Sequence, residues 1–226
     1  MAKAFIFDLN GTMIDDMQFH LKAWYHILND ELGANLSWEA VKKEMYGKNS
    51  ELLIRVFGKD RFTEDEMNKL SLEKEKRYQS EYIHHLRLIP GLQAFLEKAY
   101  ALNIPMAIGS AAILFNIDFV LDNLHIRHFF PAIVSADDVQ LSKPHPETYL
   151  KAAEQLGVAP ADCLVFEDAP KGVEAAQNAG MASVVLTTLH EADEFAQYKN
   201  IVQFIKNYTR LTPEQLIDFP ANPAIR

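Results

Sequence analysis

The sequence is short of cysteine and of long apolar runs, and each shortage excludes a class of protein. Cys163 is the single cysteine among 226 residues, so no intramolecular disulfide can form, which favours a reducing compartment. No apolar run is long enough to span a bilayer. Asp8 interrupts the N-terminal apolar stretch well before it reaches the length of a signal-peptide core. We therefore expect a soluble cytoplasmic protein.

Basic residues are also scarce. The chain has 22 Lys and Arg against 31 Asp and Glu, which gives a formal net charge of −9 and a pI near 5.4. This balance argues against non-specific binding to nucleic acid or to anionic membranes, so neither is expected as a partner. Apolar residues make up 49% of the chain, enough to fill a sizeable core. The length suits one domain, or one domain with a smaller insertion, and we expect a monomer.

Short β-rich runs alternate with helical patterns from about residue 88 onward. The predicted strands are KAFIFDL at the N-terminus and residues 104–110, 132–137, 163–168 and 183–188. Two of the helical patterns between them end at Gly157 and Gly180, and glycine is the usual residue just past a helix end. Strands that alternate with helices imply right-handed crossovers and a parallel sheet. The sequence therefore predicts an α/β, Rossmann-like core.

Residues 16–86 have a different pattern. They contain four segments with helical periodicity and no strand signal. We interpret them as an all-helical domain inserted after the first strand, which leaves residues 1–15 and 87–226 as the core domain. Near the C-terminus, TPEQLI predicts a short capped helix, and FPANPAIR predicts a loose tail.

Polar side chains stand where the predicted strands end. Asp8 follows the first strand, Ser110 the second, and Glu167 with Asp168 the fourth, while Lys143 lies in SKPHP, shortly after the third. The carboxyl ends of parallel strands share one edge of a sheet, where ligands bind. Close carboxylates repel one another and require a cation, and Mg²⁺ prefers such oxygen ligands. An ammonium and a hydroxyl could then hold phosphate oxygens, with Asp8 as a nucleophile.

Each of these residues also has an ordinary structural explanation. An aspartate before a turn often binds backbone N–H groups, and an acidic pair near a helix start is often a cap. The joint pattern at several strand ends favours a functional role for Asp8 and Asp168. The structural alternative stays open for Ser110 and Glu167. The two prolines beside Lys143 restrict its direction, which favours a role in the site.

Four stretches of the sequence resemble the ordered motifs of the haloacid dehalogenase superfamily. FDLNGT, IGS, KPHP and FEDAP are similar to its first, second, third and fourth motifs, and residues 16–86 resemble its small helical cap domain. FHLKAW and KPHPETYLKAA are most similar to the β-phosphoglucomutase-like phosphatases. The resemblance covers nearly the whole chain. It implies a Mg²⁺-dependent phosphotransferase, foremost a phosphatase of a small phosphorylated metabolite such as a sugar phosphate.

The resemblance also implies roles for residues in the metal site. Asp8 would be the nucleophile and a Mg²⁺ ligand, and the backbone carbonyl of Asn10 would be another ligand. Asp168 would bind the metal directly, and Glu167 directly or through water.

For the transferring phosphate, the resemblance implies that Ser110, Ala111 and Lys143 hold its oxygens. In the helical domain, His20 and Lys74 resemble substrate-facing residues, and Lys48 lies where β-phosphoglucomutase has a phosphate-gripping arginine. The absence of that arginine weakens a mutase interpretation.

Asn10 is the main departure from the family pattern. A family phosphatase would have aspartate here as its general acid and base, whereas asparagine keeps the backbone carbonyl but can neither give nor take a proton as an acid or base at neutral pH. The alternatives are therefore a β-phosphoglucomutase-type mutase and a catalytically weakened protein that binds phosphorylated ligands. A dehalogenase is a third alternative, against which the acidic fourth motif argues.

Overall fold

The computed structural model describes residues 2–217, and it divides the chain into two compact units. One unit contains the chain up to Asp15 and from Arg87 onward, and the other is Asp16–Leu86. The stretch for which the sequence predicts a loose tail, residues 219–226, lies outside the described residues. Within residues 2–217, no helix combines the length and the apolar character that crossing a membrane requires.

A parallel sheet forms the centre of the first unit. In the described part of the chain it has six strands in the order β3-β2-β1-β4-β5-β6. They are β1 (Ala4–Phe7), β2 (Met106–Gly109), β3 (Ala132–Val134), β4 (Cys163–Glu167), β5 (Ala182–Leu186) and β6 (Ile201–Ile205). Phe7 of β1 pairs with Ile108 of β2 on one side and with Phe166 of β4 on the other. The predicted α/β, parallel-sheet fold class is confirmed.

The second unit, Asp16–Leu86, contains helices and no strand among its residues. Its helices are α1 (Met17–His26), which continues into a π-helical turn (Ile27–Glu31), α2 (Trp38–Glu44), α3 (Asn49–Phe57) and α4 (Glu64–Tyr82). Thr63 begins α4 with a capping box, because its hydroxyl accepts from Glu66 N and its own N–H donates to the Glu66 carboxylate. Leu21, Trp24 and Leu53 belong to the apolar core of this unit.

Helices cover the sheet of the first unit. They are α5 (Leu92–Ala101), α6 (Leu114–Asn123), α7 (Glu147–Leu156), α8 (Pro170–Asn178) and α9 (Pro213–Ile217). Gly157 follows α7 in the left-handed conformation, at φ 67°, as the sequence predicts. The TPEQLI segment forms α9, in agreement with the predicted short helix.

Alternation along β1 gives the sheet its two faces. Ile6 belongs to the apolar cluster that α7 and α8 cover, whereas Phe5 and Phe7 project from the opposite face. The Phe7 ring stacks on the Phe166 ring with centroids 4.4 Å apart, and Phe95 of α5 packs edge-on against both. Both faces of β1 are therefore packed, and this packing fixes the position of Asp8, which directly follows the strand.

Strand β6 is absent from the sequence-based prediction, which names five strands. It pairs with β5 alone, with a register irregularity at Ser183 and Val184, and two of its five residues, Gln203 and Phe204, are exposed. An edge strand that is partly exposed on both sides lacks the continuous apolar run that identifies a buried parallel strand.

Candidate active site

Three neighbouring strands end in polar side chains at one edge of the sheet. Asp8 follows β1, Ser110 follows β2, and Glu167 ends β4 with Asp168 next in the chain. These strands are parallel and adjacent, so their carboxyl ends lie at the same edge. All four residues are buried, with no more than 7% of any of them exposed. The structure therefore places these four predicted site residues along one edge.

Asp8, Glu167 and Asp168 form a carboxylate cluster, in which one oxygen of each lies within 4.8 Å of the others. The Lys143 ammonium donates to Asp8 Oδ1 at 2.7 Å and to Glu167 Oε1 at 2.8 Å. Burial alone would lower the pKa of Lys143, but the charges of Asp8 and Glu167 and these two hydrogen bonds raise it. Lys143 is therefore a cation at neutral pH, held directly against the candidate nucleophile.

Glu167 is oriented by four donors. Its Oε1 accepts from Lys143 and, at 2.7 Å, from the Tyr149 hydroxyl, and its Oε2 accepts from the backbone N–H groups of Asp168 and Ala169 at 2.9 Å each. Those two amides precede α8, where the helix dipole also favours a negative charge. A Cβ on Gly172 would lie 1.6 Å from Glu167 Oε1, so the carboxylate occupies space that only glycine leaves open.

Asp168 lies against the turn that follows Asp8. Gly11 has φ +75°, and a Cβ there would lie 2.0 Å from Asp168 Oδ2. The Thr12 hydroxyl donates to Asp168 Oδ1 at 3.3 Å, and the Thr188 hydroxyl donates to the carbonyl of Gly11 at 2.7 Å. The glycine thus serves two needs at once, a left-handed backbone and a close approach by a carboxylate.

Asn10 lies in the same turn and is partly buried. Asn10 forms an isolated parallel β-bridge with Ile14. Nearby, Gly11 N donates to the carbonyl of Ile14 at 2.8 Å, and Met13 N donates to the carbonyl of Leu9 at 2.8 Å. The backbone of the turn is therefore well defined around Asn10. The side chain, an amide, can donate and accept hydrogen bonds but cannot act as a general acid or base at neutral pH.

Ser110 opens the loop after β2. Its backbone N–H donates to the carbonyl of Val134 at 3.0 Å, which continues the ladder to β3, and its hydroxyl accepts from Ala112 N at 3.1 Å. The Ala112 carbonyl accepts in turn from Ala136 N at 2.8 Å, and Ala111, between them, is partly buried. The predicted phosphate-binding residues Ser110 and Ala111 therefore lie in a turn held at both ends.

In the helical unit, His20 and Lys74 are in contact. Lys74 Nζ lies 2.5 Å from His20 Nδ1 and donates to Glu75 Oε1 and Oε2 at 3.0 and 3.1 Å. The other ring nitrogen, His20 Nε2, lies 3.2 Å from Asp16 Oδ2, which also accepts from the Tyr78 hydroxyl at 2.6 Å. Burial would raise the pKa of Glu75, but Lys74, His20 and hydrogen bonds lower it.

Lys48, the third predicted substrate residue of this unit, immediately precedes α3. Its backbone N–H donates to Glu51 Oε2 at 3.0 Å. The next residue, Asn49, donates its side-chain amide to Glu75 Oε1 at 2.6 Å. The structure thus brings His20 and Lys74 together and links the start of α3 to them through Asn49 and Glu75.

The carboxylate cluster fits a hard divalent cation. Three carboxylates, with Lys143 as the cation between two of them, carry a formal surplus of two negative charges when all are ionised. Such a surplus in a buried site is unfavourable without a further cation. The donors are all oxygens, as Mg²⁺ prefers, and the described residues that could hold it are Asp8, Glu167 and Asp168.

Sequence-based reasoning missed three contributors to this site. Tyr149 and Gly172 both shape the position of Glu167, and Thr12 binds Asp168. Gly172 had a usable signal, since a glycine inside the first turn of a helix that starts beside two acids suggests a close approach. Tyr149 had none, because helical periodicity already explains an aromatic residue on the buried face of α7.

The sequence model of the family described as "Haloacid dehalogenase-like hydrolase" matches residues 5–186. The chain is 31% identical over 179 residues to the fructose-1-phosphate phosphatase YqaB of Escherichia coli (strain K12), covering 79% of this chain and 93% of that protein. It is 33% identical over 188 residues to the β-phosphoglucomutase of Bacillus subtilis (strain 168), covering 80% of this chain and 82% of that protein. The crystal structure of β-phosphoglucomutase (pgmB) from Clostridium difficile superimposes with a TM-score of 0.82 at 29% identity, covering 96% of each chain.

Proposed function

The chain belongs to the haloacid dehalogenase-like hydrolase family, and on that premise we propose that it is a Mg²⁺-dependent phosphotransferase. Its foremost activity would be that of a phosphatase for a small phosphorylated metabolite such as a sugar phosphate. Two similar proteins support this substrate class, since one is named a fructose-1-phosphate phosphatase and the other a β-phosphoglucomutase. We further propose that it acts in the cytoplasm as a monomer.

The observation that carries the proposal is the setting of Asp8. Its carboxylate is buried at a sheet edge, and one of its oxygens, Oδ1, accepts a hydrogen bond from Lys143 at 2.7 Å. A carboxylate oriented in this way can attack phosphorus and form an aspartyl phosphate, which water then hydrolyses. In the first step, the bond between phosphorus and the substrate oxygen breaks as phosphorus bonds to Asp8. In the second step, the oxygen of water bonds to phosphorus, the bond between phosphorus and Asp8 breaks, and inorganic phosphate is released.

Other residues of the core unit would hold the phosphoryl group and the metal. Lys143, Ser110 and the turn at Ala111 would bind the phosphoryl oxygens and stabilise the charge that develops on them. Asp8, Asp168, Glu167 and the backbone carbonyl of Asn10 are the proposed Mg²⁺ ligands. Bound there, Mg²⁺ would neutralise the carboxylates and polarise the transferring phosphoryl group.

Substrate recognition is proposed for His20, Lys48 and Lys74 of the helical unit. The mutase alternative needs a cationic group that grips a second phosphate. Where β-phosphoglucomutase has an arginine for this role the chain has Lys48, and the guanidinium of Arg55, in the helix that follows, is already engaged with Glu44 Oε2 at 2.9 Å and with the Tyr46 ring at 3.7 Å. The missing arginine weakens the mutase alternative, so a phosphatase is the foremost proposal.

A second candidate function follows from Asn10. Without an acid at this position, no proton donor of the usual kind assists the leaving group, and no base of the usual kind activates the hydrolytic water. The same cluster could then bind phosphorylated ligands with little turnover. The hypothesis of a catalytically weakened protein that binds phosphorylated ligands therefore rests on the Asn10 side chain alone.

The experiment compares the parent with Asn10→Asp and Asp8→Ala on acyl, aryl and alkyl phosphates, with Mg²⁺ and with excess EDTA. Phosphate release and intact mass after acid quenching report turnover and phosphorylated Asp8. We expect Mg²⁺-dependent phosphorylation of the parent and none of Asp8→Ala. Failure of both the parent and Asn10→Asp to react with any phosphate would refute the phosphotransferase proposal. Tight binding by the parent with turnover in Asn10→Asp alone would support the binder.

A further inference from the structure

Tyr149 touches groups that come from three different strand ends. Its hydroxyl donates to Glu167 Oε1 at 2.7 Å, at the end of β4. Its ring centroid lies 4.6 Å from Lys143 Nζ, in the segment that follows β3. On the β2 side, a Cβ added to Gly109 would lie 3.1 Å from the ring, so the ring occupies space next to Ser110 that a side chain at position 109 would reduce. The side chain is fully buried.

We propose that Tyr149 is a positioning residue, which holds the Lys143 ammonium and the Glu167 carboxylate in the arrangement that phosphoryl transfer to Asp8 requires. The proposal rests on the proposed function of the Asp8 site. It assigns to Tyr149 a role beyond the packing of α7, through its hydroxyl and its ring together.

The hydroxyl acts on Glu167. Oε1 of that carboxylate accepts from Tyr149 and from Lys143, so Tyr149 fixes the acceptor to which the ammonium bonds. The Tyr149 hydroxyl is a phenol, which keeps its proton at neutral pH and therefore donates to the carboxylate. Water cannot readily replace this donor, because both partners are buried.

The ring acts on Lys143. A lysine ammonium is a point charge on a flexible stem, and hydrogen bonds alone leave it several orientations. The face of Tyr149 attracts the cation from a second direction, at 4.6 Å from the ring centroid. Glycine at position 109 leaves the ring the space that an added Cβ, 3.1 Å from it, would reduce. Lys143 is thus held between two carboxylates and an aromatic face.

A purely structural role would give a different result on substitution. Tyr149 also belongs to the apolar cluster that includes Ala152 and Ala153 of α7, and Tyr149→Phe preserves that packing. If packing were its whole contribution, the phenylalanine variant would keep the parent's rate and phosphate affinity. If it positions Glu167 and Lys143, both quantities fall while the fold remains.

The test compares Tyr149→Phe with Tyr198→Phe, a matched control in the same unit whose hydroxyl lies 3.4 Å from Glu174 and touches none of the cluster. Three quantities are measured: kcat on an aryl phosphate with saturating Mg²⁺, the Kd of inorganic phosphate by calorimetry, and the thermal midpoint. We expect Tyr149→Phe to lower kcat about tenfold and weaken phosphate binding several-fold, since it removes a buried hydrogen bond to a charged group. Tyr198→Phe should stay within about twofold of the parent in both, because its partly buried hydroxyl contacts Glu174 and not the carboxylate cluster.

Gly109→Ala is a second variant that tests the position of the ring, because its added Cβ would lie 3.1 Å from the Tyr149 ring and would push it away from β2. It should weaken phosphate binding in the same direction, and the double variant should lose less than the two single losses combined, because both act through one ring. It also serves as the test should Tyr149→Phe fail to fold.

The two hypotheses fail in different ways. A folded Tyr149→Phe with kcat and phosphate Kd both within twofold of the parent would overturn the positioning role. If the parent neither turns over nor becomes phosphorylated, the proposed function is wrong, and the phosphate Kd alone then decides the role of Tyr149. A parent that binds no phosphate overturns both.

Discussion

Gly11→Ala tests whether the position of Asp168 matters for the proposed chemistry. The structure offers a matched control in Gly180→Ala, because both glycines have positive φ, +75° for Gly11 and +73° for Gly180. A Cβ on Gly11 would lie 2.0 Å from Asp168 Oδ2, whereas a Cβ on Gly180 would have no atom within 4 Å among the described residues. The two variants therefore share backbone strain and differ in displacement of a carboxylate.

The expected magnitudes follow from this geometry. The left-handed conformation costs an alanine about 1–2 kcal/mol relative to glycine, and both variants should lose about that much free energy of unfolding. In Gly11→Ala, the Asp168 oxygen must also move by about 1.4 Å, from 2.0 Å to an ordinary contact of 3.4 Å. A misplacement of about 1 Å in an active site can lower the rate by about 10². We therefore expect a loss of about 10² in kcat/KM for Gly11→Ala and little change for Gly180→Ala.

The assay pairs urea unfolding with turnover of an aryl phosphate over a range of Mg²⁺ concentrations. Gly11→Ala should require more Mg²⁺ for half-maximal activity, because the displaced Asp168 is a proposed ligand of the ion. Activity within about threefold of the Gly180→Ala control, at equal Mg²⁺ demand, would refute the reasoning. A loss of stability far beyond that of the control would show instead that Gly11 serves chiefly the fold.

Three further predictions follow from the same structure. Asn10→Asp should raise steady-state turnover of an alkyl phosphate by at least about tenfold, because an alkyl leaving group needs an acid. It should raise phosphorylation by an acyl phosphate much less, because that leaving group needs none. Equal rates of the two proteins on alkyl phosphates would point to another proton carrier, with His20 the first candidate. Excess EDTA should abolish turnover and added Mg²⁺ restore it, and undiminished turnover in EDTA would remove the metal from the mechanism. Glu75 has a pKa below its ordinary 4.5, so its ion pair with Lys74 stabilises the folded state above that pH and is lost as the pH falls further. Acid should therefore destabilise the parent more than Glu75→Gln in urea titrations below pH about 4.5, and identical pH profiles would contradict this.

Much of the fold can be predicted from the sequence because strands buried on both faces are continuous apolar runs. AFIF (residues 4–7) and CLVF (residues 163–166) are such runs, and each leads straight into an acidic residue. Strand β6 escapes prediction because Gln203 and Phe204 are exposed at the sheet edge. The chain is anchored just before β6 by a side chain, since the Asn200 amide donates to the carbonyls of Val173 and Met181 at 3.3 and 3.0 Å. Contacts of that kind depend on tertiary structure and leave no periodic signal.

The candidate site is less predictable than the fold, for a physical reason. The residues at the strand ends are ordered by topology, so the order of strands and helices along the chain is enough to group Asp8, Glu167 and Asp168. The groups that orient these carboxylates come from helix interiors and turns, where residues of the same types usually contribute only to packing. Tyr149 is a core aromatic by every local criterion, and it is distinguished by tertiary contacts, namely its 2.7 Å hydrogen bond to Glu167 and the Lys143 ammonium 4.6 Å from its ring centroid.

Asn10 separates what the fold determines from what it leaves open. Asparagine offers the same backbone carbonyl as aspartate and fits the same turn, in which Gly11 N donates to the carbonyl of Ile14. The proposed metal binding and the proposed attack by Asp8 therefore place no demand on the Asn10 side chain, whereas protonating an alkoxide and deprotonating water both do. General acid and base catalysis contributes roughly 10²–10⁴ in rate. This range is the difference between a phosphatase and a protein that binds its phosphorylated ligand and turns it over slowly. The leaving group decides between them, because an acyl phosphate can phosphorylate Asp8 without an acid and an alkyl phosphate cannot do so efficiently.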